Sequence, residues 1–269
     1  MNSPWAVILG ASSGFGAAVA IQLARNGMHI LGVHLDHSST LPAAEQVQAQ
    51  IRALGRQAIF FNTNAADTDA RSEVIAWAIS EGISVRVLLH SLAFGSLKPL
   101  AGSPDAVTKR ELEMTSDVMG HSLVYWAQDL VSSGLMGRHG RIFAMTSEGA
   151  GYALPQYGPV CAAKAILEAH VRQLALELAP RDITVNAIRP GVTLTPALGK
   201  IPGNNQMVRL AIARHPVGRL TTPCEVAKCV AVLCHEDTYW MTGNTIRIDG
   251  GESSVGTEFF LVPSSEADA

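Results

Sequence analysis

The chain has 269 residues, of which 48% are hydrophobic and 16% charged, and its formal net charge at pH 7 is −3. This composition argues against a disordered chain, and the near-neutral charge argues against a protein that binds the nucleic-acid backbone. No apolar run approaches the roughly 20 residues needed to cross a bilayer, and residues 1–4 lack the basic region of a secretory signal. We therefore expect a cytoplasmic protein with no nucleic-acid or membrane partner.

Seven apolar, β-branched runs alternate along the chain with amphipathic stretches. Because each run is continuous, both of its faces should be buried, as in a parallel sheet covered on two sides. The predicted strands are Trp5–Leu9, His29–Leu35, Ala58–Asn62, Val85–His90, Arg141–Thr146, Thr184–Arg189 and Thr245–Asp249. The predicted helices cover residues 14–26, 42–54, 69–80, 108–133, 157–179 and 223–235. This alternation predicts a doubly wound α/β fold.

The chain shows no linker, repeat or charge block that would divide it. We therefore place residues 1–251 in a single domain and residues 252–269 in a C-terminal tail. Within the tail, Phe259–Val262 is apolar and is expected to lie on the body or on a neighbouring subunit. Four cysteines, at 161, 224, 229 and 234, form no Cys-x-x-Cys pair, so we expect reduced core thiols and no metal site.

A glycine-rich loop, Gly10-Ala11-Ser12-Ser13-Gly14-Phe15-Gly16, joins the first predicted strand to the first predicted helix. Glycine permits a tight turn there and lets backbone N–H groups approach a pyrophosphate at the positive end of the helix dipole. Because the loop lies in the first βαβ unit, it predicts a dinucleotide-binding site. The residues expected to contact the dinucleotide are Gly10, Ser12, Ser13, Gly14, Phe15 and Gly16.

The end of the second predicted strand bears on the choice of dinucleotide. An acid at this place holds the ribose 2′-hydroxyl of NADH and repels the 2′-phosphate of NADPH. Asp36 therefore favours NADH. His34, His37 and Ser13 favour NADPH, because their side chains can donate hydrogen bonds to a phosphate. The balance predicts a small preference for NADPH over NADH.

Tyr157 and Lys164 lie seven residues apart, in the segment Tyr157-Gly-Pro-Val-Cys-Ala-Ala-Lys164. Seven residues turn a helix by about 700°, so on a continuous helix both side chains leave the same face. A lysine beside a phenol lowers the pKa of the phenol and makes the hydroxyl a better acid near neutral pH. The alternative is a core tyrosine and a solvated lysine, and the spacing alone does not decide between the two.

Three segments carry a resemblance to a known family. The Gly10–Gly16 loop, Gly-x-x-x-Gly-x-Gly, resembles that of the short-chain dehydrogenase/reductase family, whose members have a Rossmann fold. The Tyr157-x6-Lys164 spacing and His90-Ser91-Leu92-Ala93-Phe94 are similar to the enoyl-acyl carrier protein reductases of this family. The compact loop resembles their NADPH-using minority subtype. The resemblance covers residues 6–251 and implies reduction of the C=C bond of a trans-2-enoyl thioester on acyl carrier protein or CoA, as in fatty acid biosynthesis.

The resemblance also implies residue roles. The catalytic residues would be Tyr157, which stabilises the enolate, together with Lys164 and Ser147. Further cofactor-binding residues would be His34, Asp36, His37, Asn64, Ala65, Ser91, Leu92, Ala93, Thr146, Tyr157, Lys164, Pro190, Gly191, Val192 and Thr193. The substrate pocket would include Phe94, Tyr152 and Leu198.

Three positions bear on which reaction the resemblance implies. Ser147 stands where the best-known enoyl reductases have a second tyrosine and where ordinary family members have their catalytic serine. Val160 stands where ordinary members have the tyrosine itself, and Met119 replaces an asparagine that supports a proton relay. Reduction of a ketone by the same residues is therefore an alternative, and a non-catalytic dinucleotide sensor is another.

Residues 193–219 are expected to cover the substrate. Residues 183–224 include no Asp or Glu, but they include Arg189, Lys200, Arg209, Arg214 and Arg219. Such a stretch suits the steering of an anionic phosphopantetheine carrier or CoA, and a solvated basic face is the alternative interpretation.

The stretches at residues 112–135 and 162–178 are long and rich in Ala, Leu and Val. Small residues allow helices to approach closely across a two-fold axis, where each helix face meets its copy. Together with the family resemblance, these stretches predict a homotetramer.

Overall fold

The computed structural model describes residues 3–256, which fold around one parallel sheet. The strands are β1 (Trp5–Leu9), β2 (His29–His34), β3 (Ala58–Asn62), β4 (Val85–His90), β5 (Arg141–Met145), β6 (Thr184–Pro190) and β7 (Thr245–Ile248). They lie in the order β3-β2-β1-β4-β5-β6-β7, and every neighbouring pair is parallel. This is the doubly wound α/β fold that the alternation predicts.

Helices connect the strands and cover both faces of the sheet. They are α1 (Gly14–Arg25), α2 (Leu41–Ala53), α3 (Thr68–Ser80), α4 (Lys109–Ser116), α5 (Ser122–Ser132), α6 (Gly158–Leu178), α7 (Pro196–Gly199), α8 (Asn204–Arg214) and α9 (Pro223–Leu233). Local signals explain several of the starts. The helix α9, for example, begins with a capping box between Thr222 and Glu225, which satisfies two backbone N–H groups at the helix end.

Two apolar cores lie on opposite faces of the sheet. Successive residues of β1 point to different cores, with Val7 in the first and Ile8 in the second. Trp126 fills the first core and Phe143 the second, and both are fully buried. The predicted burial of both strand faces is therefore confirmed for the central strands. It is wrong for the two edge strands, because only Ala58 of β3 is buried and β7 alternates between exposed and half-buried residues.

The helix predicted over residues 108–133 is interrupted. A π-helical segment, Asp117–His121, separates α4 from α5. In this segment a Cβ on Gly120 would lie 3.0 Å from Ile166 Cγ2 and 3.1 Å from the carbonyl oxygen of Ala163. The close approach of α6 at Gly120 coincides with the extra residue in the turn, a feature that is frequent at functional sites. The segment also carries Met119.

The predicted boundary at residue 251 is too early. Glu252–Ser254 forms a short 3₁₀ helix, and the Glu252 side chain is buried against the body. Its carboxylate accepts hydrogen bonds from the backbone of Val192 and the guanidinium of Arg214. Residues 252–256 therefore belong to the folded domain, because this buried acid is satisfied only within it. The apolar stretch Phe259–Val262 lies outside the described residues.

The expectation of four core thiols is wrong. Cys234 is buried and Cys161 is half-buried, but Cys224 and Cys229 are exposed on α9. All four are free thiols. Within residues 3–256 no three His, Cys, Asp or Glu side chains gather closely enough to hold a metal ion. In the same part of the chain no helix has the length and apolar character needed to span a membrane.

Candidate active site

A cleft of about 1340 Å³ opens at the carboxyl ends of the strands. Its walls include residues from the segments that follow all seven strands. The strand order reverses at β1, between β2 and β4, and doubly wound sheets bind ligands at such a switch point. The residues predicted to bind cofactor or substrate and to carry catalysis all line this cleft except Gly16.

The glycine loop is shaped by backbone contacts. Gly10 has a φ of +87°, and a Cβ there would lie 2.4 Å from the carbonyl oxygen of Ser91. A Cβ on Gly16 would lie 2.0 Å from the carbonyl oxygen of Gly10, so Gly16 packs against the loop backbone instead of lining the cleft. Ser13 precedes α1 without a side-chain capping bond, and the first turn of α1 has no acid. The first N–H groups of α1 therefore remain for an anion such as a pyrophosphate.

A fixed carboxylate stands after β2. His34 Nδ1 lies 2.9 Å from Asp36 Oδ2, and Asn62 holds the Asp36 backbone through two hydrogen bonds of 2.9 and 3.0 Å. Burial alone would raise the pKa of this carboxyl, but hydrogen bonds from Thr40, Ser12 and His34 leave the pKa below its usual value. Asp36 is thus ionised at neutral pH. The buried His34 ring is engaged with it, instead of being free for a phosphate as predicted.

No lysine or arginine balances Asp36 in the neighbouring cleft segments of the described chain. The cleft-lining residues of the segments after β1, β2 and β3 fall within residues 10–15, 33–43 and 63–65. All of them belong to the described part of the chain, and they include no Lys or Arg. The positive partners that a 2′-phosphate usually finds are therefore missing from these three segments.

Tyr157 and Ser147 converge on one point of the cleft. Tyr157 is the residue immediately before α6, so it does not lie on the continuous helix that the spacing assumes. A Cβ placed on Gly149 would lie 2.7 Å from Tyr157 Cε1 and 3.3 Å from Ser147 Oγ. Ser147 Oγ is buried and has no hydrogen-bond partner within the described chain. Because buried hydroxyls normally have a partner, this one is available to a ligand oxygen.

The predicted lowering of the Tyr157 pKa by Lys164 is wrong for the protein without ligands. Burial raises the pKa of Tyr157 above its usual value, and the nearby Ser147 hydroxyl only partly offsets this. Lys164 Nζ donates instead to the carbonyl oxygens of Leu92 and Met145, at 3.2 and 2.8 Å. Tyr157 is therefore protonated at neutral pH and can donate a hydrogen bond to a ligand.

Lys164 is itself an unusual group, being almost fully buried in the cleft wall. Burial lowers its pKa to about 7, and the negative charge of Glu168 acts in the opposite direction. Glu168 lies one turn further along α6 and accepts a hydrogen bond of 2.8 Å from Thr146 Oγ1. The sequence shows Glu168 four residues after Lys164, a spacing that places both on one helix face, but only the fold brings Thr146 to it.

His90 closes β4 behind these residues. Its Nε2 lies 2.9 Å from Ser122 Oγ, which donates to the carbonyl oxygen of Val118. Nε2 must therefore donate to the serine. Burial and the nearby Lys164 lower the pKa of His90 to about 3, so the ring is neutral. His90 supports the wall and does not act as a base.

The substrate end of the cleft is apolar. The three predicted pocket residues line it, with Phe94 and Tyr152 largely exposed and Leu198 buried. Ile201, Met207 and Leu210, from the segment predicted to cover the substrate, also line it. Further apolar residues that sequence reasoning did not assign to the pocket are Met114, Val118, Met119, Met145 and Leu154. Methionine fills irregular space and adapts to different ligands, so these walls suit a flexible hydrocarbon chain.

The basic stretch of residues 183–224 is partly neutralised. Arg219 forms an exposed ion pair with Glu225 at 2.6 Å. Arg214 contacts Glu148 at 2.6 Å and Glu252 at 2.7 Å. Both partners of Arg214 come from distant segments, which is why the sequence suggested an unopposed charge. Arg189 and Lys200 line the cleft.

Comparison with known proteins adds relatives that span nearly the whole chain. A family model described as enoyl-(acyl carrier protein) reductase matches residues 10–253. The cyclohexanol dehydrogenase of Acinetobacter sp. (strain SE19) is 27% identical over 255 residues, which cover 94% of this chain and 96% of that protein.

Solved structures have the same fold. A short chain dehydrogenase from Burkholderia cenocepacia J2315 in complex with NADP has a TM-score of 0.79 and 27% identity, over 93% of this chain and 98% of that one. The enoyl-[acyl-carrier-protein] reductase (NADH) from Aquifex aeolicus VF5 has a TM-score of 0.82 and 21% identity, over 94% and 97% of the two chains. At that identity the second likeness concerns the fold alone.

Proposed function

The chain belongs to the short-chain dehydrogenase/reductase family of oxidoreductases, and from this premise we propose that it reduces the C=C bond of a trans-2-enoyl thioester. The observation that carries the proposal is the position of Tyr157, which lines the cleft beside Ser147 and stands seven residues before Lys164. Val160, four residues before Lys164, is buried and has no proton to donate. The proton donor that faces the cleft is therefore the more distant tyrosine.

The cleft residues fit a nicotinamide dinucleotide. The open N-terminus of α1 offers N–H groups to its pyrophosphate. Two N–H groups of the Lys164 ammonium bind backbone carbonyls, and the third would donate to the ribose hydroxyls. When bound, the reduced nicotinamide supplies a hydride to the β-carbon of the enoyl group. Everything else in the reaction is a matter of binding, orientation and protonation by the chain.

Tyr157 would stabilise the negative charge that develops on the thioester oxygen. Its raised pKa keeps the hydroxyl protonated, so it donates a hydrogen bond that strengthens as the enolate forms. Ser147 Oγ, which has no other partner in the described chain, would donate to the same oxygen. The enolate then takes up a proton from solvent at the α-carbon, which completes the reduction. The methionine-rich walls would hold the acyl chain.

For the dinucleotide, the geometry supports NADH better than the NADPH predicted from the sequence. Asp36 is a fixed anion, His34 is already paired with it, and the neighbouring cleft segments described above lack Lys and Arg. A 2′-phosphate would meet net negative charge there, whereas a 2′-hydroxyl would find an acceptor. We therefore propose NADH as the preferred cofactor.

Reduction of a ketone is the second candidate, and the convergence of Ser147 with Tyr157 favours it. A serine and a protonated tyrosine on one oxygen would suit a carbonyl group equally well, with Tyr157 giving its proton to the alkoxide. The cyclohexanol dehydrogenase of Acinetobacter sp. is a relative whose name fits such chemistry.

One assay separates the two candidates. Consumption of NADH and of NADPH is followed by absorbance with crotonyl-CoA and with acetoacetyl-CoA, using the Tyr157→Phe variant as the matched control. Turnover of crotonyl-CoA that is lost in the variant supports enoyl reduction. Turnover of acetoacetyl-CoA alone supports ketone reduction. Dinucleotide binding without turnover of either thioester would contradict both and favour a sensor.

We further propose that the acyl group is carried by CoA or acyl carrier protein and that the protein is a homotetramer. Lys200 at the cleft suits an anionic carrier. The outer face of α6 exposes Ala162, Ala165, Ala169 and Leu176, which suits packing against a second copy. Light scattering should give four times the 28.5 kDa chain mass, and a monomer would contradict the assembly.

A further inference from the structure

The helix α8 covers the substrate end of the cleft but is weakly packed against the body. Met207, Leu210 and Ala211 line the cleft. Of the eleven residues of α8, only Ala211 is buried. A helix of this length is marginal on its own, and its place normally depends on an apolar face packed against the core. The position of α8 must therefore depend on other contacts.

Those contacts are concentrated at its last residue. Arg214 Nη2 donates to Glu148 Oε2 at 2.6 Å and to Glu252 Oε1 at 2.7 Å, and Arg214 Nε donates to the same Glu252 oxygen at 3.3 Å. Burial lowers the pKa of Arg214, but the hydrogen bonds with Glu252 and Glu148 outweigh it and raise the pKa above its usual value. We call these three residues the Arg214 cluster. Its charge-assisted bonds tie α8 to the segments after β5 and β7.

The Arg214 cluster also reaches the segment after β6. The second oxygen of Glu252 accepts the Val192 backbone N–H at 2.9 Å. A Cβ on Gly191 would lie 2.8 Å from that oxygen, so the carboxylate packs directly on this backbone. Pro190–Thr193 lines the cleft and is predicted to contact the cofactor. The buried Glu252 carboxylate therefore links α8, at the substrate end, to Pro190–Thr193, the segment predicted to contact the cofactor.

The same end of α8 is held sterically. His215 follows α8 and is buried, and a Cβ on Gly250 would lie 2.5 Å from His215 Nε2. The C-terminal end of α8 is thus anchored. Its first residues, near Asn204, are largely exposed and begin after Gly203, which has a φ of +78°. A shift of the anchor would therefore tilt the whole helix over the pocket.

From these contacts we propose that the Arg214 cluster couples the two halves of the site, so that occupation of the cofactor wall at Pro190–Thr193 sets the position of α8 over the substrate. Arg214, Glu148 and Glu252 are positioning residues in this proposal. It rests on the dinucleotide binding of the proposed function, but not on which double bond is reduced.

Hydrogen exchange of the α8 amides tests the coupling without any turnover. In the wild-type protein, saturating dinucleotide, added as NADH or NADPH, should slow exchange of residues 207–215 by at least about threefold. Arg214→Gln should abolish that slowing while the loop at residues 10–16 is still protected. Arg209→Gln, an exposed arginine on the same helix, is the control and should behave as wild type.

Two further variants guard against a merely unfolded protein. Glu148→Gln removes one half-exposed partner and should weaken the coupling partly, and Arg214→Lys should restore part of it because the charge is kept. In steady-state assays Arg214→Gln should raise the KM for crotonyl-CoA at least about fivefold with kcat changed less than threefold. Equal protection of α8 by dinucleotide in wild type and Arg214→Gln would overturn the coupling. Protection that is lost as predicted, with no turnover of either thioester, would overturn only the proposed function.

Discussion

The two ends of the cleft are held by different kinds of contact. At the dinucleotide end, close backbone approaches around Gly10 and Gly16 shape the loop, and buried strands support it. At the substrate end, α8 has a single buried residue and is anchored by the ionic contacts of the Arg214 cluster. Steric contacts are insensitive to pH and salt, whereas ionic contacts are not. The proposed cofactor site therefore rests on rigid backbone, whereas the proposed substrate cover, α8, depends on ionic contacts.

The largest effect on dinucleotide affinity is expected from Gly16→Ala. A Cβ there would lie 2.0 Å from the carbonyl oxygen of Gly10, so the loop must shift. We expect dinucleotide affinity to fall by at least about 30-fold and the free energy of unfolding to fall by about 1–3 kcal/mol. Titration of nicotinamide fluorescence and denaturant unfolding measure the two quantities. Gly137→Ala is the control, because no atom lies within 4 Å of the new Cβ. Unchanged affinity in Gly16→Ala would contradict the conclusion that close backbone contacts shape the dinucleotide end of the cleft.

The next effect concerns Tyr157, which lines the cleft between its dinucleotide end and its substrate end. Tyr157→Phe removes the donor to the substrate oxygen but keeps the ring, so turnover should fall at least about tenfold while dinucleotide affinity stays nearly intact. Steady-state kinetics and nicotinamide fluorescence check this. The control is Tyr152→Phe, which alters a largely exposed tyrosine of the same cleft. If Tyr157→Phe is kinetically silent and Tyr152→Phe is not, the catalytic assignment moves to Tyr152.

Electrostatics at the dinucleotide end are tested by Asp36→Asn. Removing the fixed charge should shift the ratio of kcat/KM values about tenfold toward NADPH, since the 2′-phosphate is no longer repelled. Asp67→Asn, a helix-capping acid beyond the cleft, should leave the ratio unchanged. A strong native preference for NADPH that Asp36→Asn leaves in place would refute the role of this carboxylate.

The last prediction concerns a pH dependence of stability in the protein without ligands. Burial lowers the pKa of Lys164 from 10.5 to about 7, so between these values the unfolded state binds more protons and stability rises with pH. Lys164→Met removes the cost of burying the charge. The variant should therefore gain stability most at and below about pH 7, and the gain should shrink as the pH rises toward 10.5.

Denaturant unfolding of wild type and variant at several pH values measures this gain. Lys228→Met, on the exposed face of α9, is the control and should give a pH-independent difference. A gain for Lys164→Met that is constant with pH would mean that the lysine is not neutralised by burial. The same variant should lose turnover and cofactor affinity, because the ribose donor is gone.

The elements were predictable because their signals are local. The continuous apolar runs and the helix-start residues define strands and helices within one or two residues of their observed bounds for most of the chain. The glycine loop was predictable for the same reason, because a turn that requires glycine is recognised from a few adjacent residues. The interrupted helix at Asp117–His121 was not, because it coincides with a close contact between Gly120 and Ile166 of α6, which lies far away in the sequence.

Charges and hydrogen bonds between distant segments were the least predictable part of the site. Arg214 binds Glu148 and Glu252, which lie 66 and 38 residues away in the sequence. The positive charge of residues 183–224 therefore seemed to have no acidic partner. Asp36 and His34 are close in sequence, but the Asp36 backbone is held in place by hydrogen bonds with the Asn62 side chain of β3. Such contacts require a known fold, because a side chain's partner is set by which loops meet at the carboxyl edge of the sheet.

The doubly wound fold, the glycine loop and the residue types that face the cleft can be deduced from the amino-acid sequence, because strand burial and glycine backbone conformations depend on short stretches of chain. The raised pKa of Tyr157, the buried partners of Lys164 and the anchoring of α8 through Arg214 are seen only in the folded chain. These depend on burial and on pairs of groups far apart in the chain. A buried group's pKa follows from the solvent it loses and the neighbours it gains, and both exist only once the chain is folded.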